Sequence, residues 1–344
     1  MPEVVALGDI NVDIIAHFPS YPAKGQDALA SSTEFHCGGS AANTARALAW
    51  MGLEVGLISR LGPDPLASRA LEHLAEAGVS PTGLQRDPAA PTGLMYIVVT
   101  PDGERTMLGN RGANVWTDPN QVREEEIRAS RLLHLSGYAL LSDPQRSAAL
   151  LALEMATRHD LIVTLDPGMS VPQAALEEMR ALLPVIDVLL PNLPEAQRLA
   201  GLTAPKECAE WLLASGVGAV ALKLGEAGCL VCRGTETLWV PGFSIEAHDT
   251  TGAGDYFAAG AIAGFLRGLD WHGSAVLANV MGALAATRTG AGTSMPRARE
   301  VVDLLDAQAT GPEQREHLAA IRQARDFVEM LATKPEEEGK RWWK

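Results

Sequence analysis

The sequence predicts an α/β protein: a mostly parallel central sheet with helices on both faces, plus a small β-sheet lid. Three observations carry this. From about 130 to 231, apolar strand-like runs at 131–136, 161–165, 186–190, 218–222 and 228–232 alternate with helical segments near 144–158, 173–183, 194–200 and 205–214. Runs at 93–99 and 104–109 flank Pro101-Asp102-Gly103, a hairpin signal foreign to a βα repeat, so this piece forms a side sheet or lid. The stretch from Asp249 to Asp255 (DTTGAGD) turns straight into an apolar helical run from Tyr256 to Leu266.

In chain order, residues 3–8 read as a buried first strand ending in Gly8. Asn11 and Asp13 follow, two apart, and an extended segment places alternate residues on one face. Both can therefore point into a cleft at the carboxyl end of the strand, where open α/β sheets hold ligands, or they can be solvated loop residues. Residues 14–36 lack strong periodicity and read as irregular. Gly38-Gly39 make a turn into a helix from Ala41 to Met51, stopped by Gly52, with Asn43 in its first turn. The diglycine allows close backbone approach to a ligand, or close helix packing. A strand at 54–60, a Gly62-Pro63-Asp64 turn and a helix from Pro65 to Ala77 come next. Beyond the hairpin, 109–114 (GNRGAN) is a glycine-rich return loop.

Asp166 and Asn192 fall at strand ends. Asn192 and Glu195 form N-x-x-E at a strand-to-helix junction, which suits a hydrated Mg²⁺ near phosphates, or a capping box. Helices at about 252–268 and 272–288 precede a glycine-rich loop at 289–296. The segment 311–344 differs in composition: it is charged, has an amphipathic helix from Gln314 to Ala332, and ends near Trp342 and Trp343. The division is a domain at 1–310, with lid segments near 12–36 and 93–112, and a C-terminal helical extension and tail at 311–344.

The composition excludes whole classes. With 344 residues, 47% of them hydrophobic, the chain can build a large core. A net charge of −14 argues against nucleic acid and anionic membranes as partners. No run of about 18 apolar residues appears, and MPEVVALGDI lacks the basic start of a signal peptide. Four cysteines match no disulfide framework, and a cytoplasmic location is expected. Cys229 and Cys232 form C-x-x-C within a strand, so they face opposite ways and have no second pair for zinc.

The 249–255 stretch carries the chemistry. Gly252, Ala253 and Gly254 leave backbone N–H groups uncovered at a helix start, which is an anion site. Asp255 sits inside that turn. A carboxylate beside an anion hole makes sense if it takes a proton from a hydroxyl that attacks a bound phosphoryl group. Taken alone, the same residues also make a glycine-softened helix cap with an exposed Asp.

Taken together, these residues resemble the ribokinase-like carbohydrate kinases, the PfkB family. Asp249 to Ile262 is similar to its D-T-x-G-A-G-D signature, and Gly38-Gly39-Ser40-Ala41-Ala42-Asn43-Thr44-Ala45 to its G-G-x-x-x-N-x-A signature. Asn192, Glu195 and Gly112-Ala113-Asn114 fall in the expected order, and the likeness spans residues 3 to about 305. The resemblance implies a three-layer αβα domain with a β lid, and an ATP-dependent kinase acting on a sugar-like alcohol. It implies Asp255 as general base, with Gly252, Ala253 and Gly254 as anion hole. Asn11, Asp13, Gly38, Gly39 and Asn43 would bind substrate, with Arg111 either a candidate for a carboxylate or phosphate or a solvated loop charge. ATP would meet Asn192, Lys223, Gly225, Gly228, Thr251, Gly252, Gly254 and Asn279. Asn192 and Glu195 would hold Mg²⁺ through water. Carbonyls near Asp249, Thr251 and the 286–294 loop match the place, beside the anion hole, where many members bind a monovalent cation such as K⁺. A homodimer is compatible with this reading.

Against ribose itself, Ser40 replaces the Lys of G-G-K-G-A-N and Ser136 the Glu ending the L-x-L-E strand, which removes two polar contacts. Phe35, Tyr96 and Tyr138 could stack on a base, which keeps a nucleoside kinase open. Few basic residues lie in the lid (Lys24, Arg105, Arg111), which disfavours a sugar phosphate. A non-catalytic sugar or nucleotide sensor on the same fold is the competing class. A dinucleotide oxidoreductase would need G-x-G-x-x-G after the first strand, which is absent.

Overall fold

The computed structural model describes residues 1–168, 173–290, 295–309 and 316–332. The strands are β1 (Val4–Leu7), β2 (Asn11–His17), β3 (Ser32–Gly38), β4 (Val55–Leu61), β5 (Leu84–Arg86), β6 (Gly93–Val99), β7 (Arg105–Asn110), β8 (Leu132–Ser136), β9 (Ile162–Asp166), β10 (Val188–Leu189), β11 (Ala219–Lys223), β12 (Cys229–Arg233) and β13 (Glu236–Val240). The helices are α1 (Ser40–Trp50), α2 (Pro65–Glu76), α3 (Glu124–Arg128), α4 (Gln145–Arg158), α5 (Gln173–Leu182), α6 (Leu193–Ala200), α7 (Pro205–Ala214), α8 (Ala253–Leu266), α9 (Trp271–Ala286), α10 (Ala298–Gln308) and α11 (Leu318–Ala332).

Nine strands form one sheet in the order β13-β12-β11-β10-β9-β8-β1-β4-β5. All neighbours from β11 to β5 are parallel, and β12 and β13 add an antiparallel edge. Strand alternation splits the core in two. Val4 and Ala6 of β1 pack on the side of α1, α2 and α8–α11, whereas Val5 and Leu7 pack on the side of α4–α7. This is the three-layer αβα arrangement the alternating pattern predicts. Cys229 and Cys232 of β12 likewise fall in opposite core layers. Among the described residues, no helix is long and apolar enough to cross a membrane.

The second sheet, β3-β2-β6-β7, is the lid. The β6–β7 hairpin lies where the Pro101-Asp102-Gly103 signal places it. The expectation of irregular chain at 14–36 is corrected at both ends. β2 and β3 pair over their whole lengths, and β2 also pairs in parallel with β6. β2 is central in this sheet and nearly all buried, so it lacks the polar–apolar alternation that marks a one-sided strand.

Sequence reading also passed over β5, β13, α3 and α10. The first three are short or polar, with little periodicity to show. The extension does not stand apart where it is described: Ile321, Ala324, Phe327, Val328 and Leu331 of α11 join the same core layer as α8 and α9. Trp342 and Trp343, and 291–294 of the glycine-rich loop, lie outside the described residues.

Candidate active site

The carboxyl ends of the parallel strands deliver most of the polar groups. Asp9 follows β1, Asp166 ends β9, Asn192 follows β10 and Lys223 ends β11. From β1 the chain runs almost directly into β2, which carries Asn11 and Asp13 from the main sheet into the lid.

Gly38 and Gly39 show why this junction tolerates no side chain. A Cβ on Gly38 would lie 2.2 Å from the Asp13 carboxylate. Gly39 has φ 94°, and its Cβ would meet the Asp9 carbonyl at 2.3 Å. Asp13, laid over Gly38, is buried. Burial, and then the charges of Asp255 and Asp249, push its carboxyl up to about 7.

Helix α8 starts at Gly252, which holds the left-handed conformation at φ 79°. The Ala253 N–H closes a turn on the Thr250 carbonyl at 3.2 Å. Among the described residues, the Gly252 and Gly254 N–H groups have no acceptor. Of the three groups expected to form the anion hole, two are therefore open and one is engaged. Lys223 Nζ approaches the same turn, 3.3 Å from where a Gly254 Cβ would stand, and donates to Asp166 Oδ2 at 2.7 Å.

Asp255, in the first turn of α8, is clasped from α1. Ser40 Oγ donates to its Oδ1 at 2.7 Å and Asn43 Nδ2 to its Oδ2 at 2.8 Å. Burial and the Asp166 charge push the Asp255 carboxyl up to about 6, against the hydrogen bonds of Asn43 and Ser40 and the Lys223 charge. Among the described residues, Asn43 Oδ1 is buried with no partner. A buried acceptor so placed beside a carboxylate suits a hydroxyl donor.

Asn192 and Glu195 do form a capping box. Asn192 Oδ1 accepts the Glu195 N–H at 2.9 Å, and Glu195 Oε2 accepts the Asn192 N–H at 2.8 Å. The plainer alternative is thus realised, yet it also aims the pair at the strand ends. Burial and the Asp166 charge raise the Glu195 carboxyl, against the pull of Lys223. Two carboxylates and one ammonium leave this corner anionic, which fits a hydrated divalent cation.

The remaining nucleotide candidates meet at the antiparallel edge. Gly225 to Ala227 form a short turn between β11 and β12, and Gly228 backs onto the Val240 carbonyl. Asn279 Nδ2 donates to the Val240 and Pro241 carbonyls at 3.1 Å each. Its side chain thus holds the 240–241 backbone against the same turn.

Arg111 is partly buried and already engaged. It grips Asp9 through two bonds of 2.7 and 2.8 Å and also contacts Gln145. It braces the β1–β2 junction, and its donors on that side are already spent. Next to it, Asn114 is fully buried and bonds Ile10, Asn11 and Ser59. Of the aromatic candidates, Phe35 lies under Arg69 and Tyr138 against Gly168.

Sequence reasoning missed three groups: Ser40 as a partner of Asp255, Asp166 as the partner of Lys223, and Arg105, which reaches Asp249 from the lid. Asp166 at a strand end was the one available signal. The other two contacts join residues more than 140 positions apart.

Comparison with known proteins supplies the context. Residues 1–298 match the pfkB family of carbohydrate kinases. The chain is 34% identical over 311 residues to the ATP-dependent ribose-1-phosphate kinase of Halopiger xanaduensis, covering 89% of this chain and 98% of that protein. Among solved structures, the apo form of a putative ribokinase II from E. coli has a TM-score of 0.82 at 25% identity, over 89% of this chain and 100% of that one. Arabidopsis thaliana ribokinase complexed with ribose and ATP has a TM-score of 0.77 at 25% identity, over 88% and 98%.

Proposed function

Because the chain belongs to the pfkB family of carbohydrate kinases, we propose that it transfers the γ-phosphoryl group of ATP to a sugar hydroxyl, with Asp255 as general base. The observation that carries this is the place of Asp255: a carboxylate in the first turn of α8, pushed up to about 6, beside two open N–H groups and the Lys223 ammonium. The acceptor hydroxyl gives its proton to Asp255 as its oxygen bonds the γ-phosphorus, and the bond to the β-phosphate oxygen breaks to release ADP. Gly252, Gly254 and Lys223 stabilise charge on the transferring group.

Asn11, Asp13, Gly38, Gly39 and Asn43 line the sugar side, with Asn43 Oδ1 ready to accept a sugar hydroxyl. The turn at 225–228 and the 240–241 backbone held by Asn279 support the nucleotide. Mg²⁺ would be held through water by Asn192 and Glu195 with Asp166 near, and would neutralise phosphate charge. Four buried, unpaired thiols suit a cytoplasmic setting. The homodimer reading draws on exposed Phe35, Met107 and Leu108 of the lid.

The Halopiger relative favours a phosphorylated pentose. The lid cations favour a neutral sugar, since Arg105 and Arg111 are each spent on a carboxylate. ADP release against ribose, ribose 1-phosphate, deoxyribose, fructose and adenosine separates these readings. Asp255→Ala should lower turnover by roughly two to four orders of magnitude while ATP still binds. Near-normal turnover in that variant would remove Asp255 from the role of base. Silence of the wild type across the panel, with ATP bound, would favour a sensor.

A further inference from the structure

The charge that faces Asp249 comes from the lid. Arg105 opens β7, in register with Val99, at the end of the lid sheet away from Asn11. Its guanidinium crosses to the loop before α8. Nη1 binds Asp249 Oδ1 and lies 3.4 Å from Thr251 Oγ1, and Nη2 donates to the His248 carbonyl at 2.8 Å. Asp249 is 2% exposed, and its other partners are backbone N–H groups. Oδ1 accepts from Thr251 at 2.7 Å and Oδ2 from Gly290 at 2.8 Å. One buried carboxylate thus ties together the lid, the loop that leads into Gly252–Asp255, and the turn after α9.

Asp249 and Thr251 are where the resemblance places a monovalent cation. At these side chains the place of a cation is already taken: the Arg105 guanidinium sits on Asp249 Oδ1 and faces the Thr251 hydroxyl. A second cation at these atoms would meet a positive charge in a poorly solvated place.

We propose that Arg105 is a positioning residue for phosphoryl transfer, its guanidinium doing at Asp249 what an inorganic cation would otherwise do. It neutralises a buried carboxylate near Asp13, and so orders the loop that presents the open N–H groups. Because a lid strand carries the charge, the anion hole is completed only when the lid lies over the sugar side. Resting on the kinase reading, this makes turnover independent of K⁺ and dependent on lid closure.

The full-length protein and its Arg105→Ala and Arg105→Lys variants would be compared in potassium chloride and choline chloride at equal ionic strength. Turnover, KM for ATP, melting temperature and amide exchange over 93–110 would be measured. Wild type should show the same kcat and melting temperature in both salts. Arg105→Ala should lose about tenfold or more in kcat in choline, with little change in KM for ATP. It should regain part of this in potassium, and its lid should exchange faster. Arg105→Lys should fall between. Several-fold activation of wild type by potassium, or full turnover of Arg105→Ala in choline, would overturn the proposal. If wild type turns over no substrate, the kinase reading fails, and the substrate-free arms still decide the contact. In that case, unchanged lid exchange in Arg105→Ala, or a wild-type melting temperature that rises in potassium, would overturn it.

Discussion

Asp255 shows how neighbours set the working range of one residue. Its carboxyl is raised by burial and by Asp166, and lowered by Asn43 and Ser40. As a base it must be ionised, so turnover should fall as pH drops through about 6. Asp13, pushed up to about 7 in part by the Asp255 charge, titrates in the same range, so the acid limb belongs to the pair. Ser40→Ala removes a hydrogen bond that favours the charged form. The acid limb should move to higher pH, by about half a unit to one unit, with the plateau within a few-fold. A pH–rate profile that stays in place or moves down would separate Ser40 from the base. Asp255 itself was legible in the sequence, because a carboxylate inside a glycine-rich helix start is chemically odd. Ser40 was legible only as a departure from a family pattern, since its contact spans 215 positions.

At the scale of elements, the docking of α11 on α9 holds an unusual contact. His272, in the first turn of α9, and His317, just before α11, meet with Nε2 to Nδ1 at 2.6 Å. Two neutral rings can share one proton there, whereas two imidazolium ions would repel. Asp270 and Glu316 raise, and burial lowers, the two rings, with burial dominant in both. The folded values therefore lie below the unfolded one near 6.5. The stability this pair supports is whole above that pH and declines below it, where the unfolded chain takes up protons first. Between pH 7.5 and 5, α11 should gain amide exchange relative to α4, and His317→Gln should flatten that difference. Equal pH response in both variants would refute it. Sequence periodicity showed the helix, but the partner histidine lies 45 residues away.

For the molecule as a whole, the question is whether the extension is a separate unit. Phe327 is buried in the same core layer as α1, α8 and α9. Phe327→Ala should therefore destabilise the whole chain by about 3–5 kcal/mol, with one cooperative transition. A variant that lost only a minor early transition would mark 316–332 as independent.

Local chemistry, readable along the chain, determined the layered α/β fold, the lid hairpin, the glycine-led helix start with Asp255, and the Asn192–Glu195 pair. Each is written within a few residues, as a period, a turn or a cap. Tertiary structure alone decided which groups meet: Ser40 and Asn43 on Asp255, Lys223 on Asp166, Arg111 on Asp9 and Arg105 on Asp249. It also decided that 11–17 and 32–38 are strands: β2 is paired on both sides and nearly all buried, β3 is its more exposed edge partner, and both draw their stability from neighbours distant in sequence.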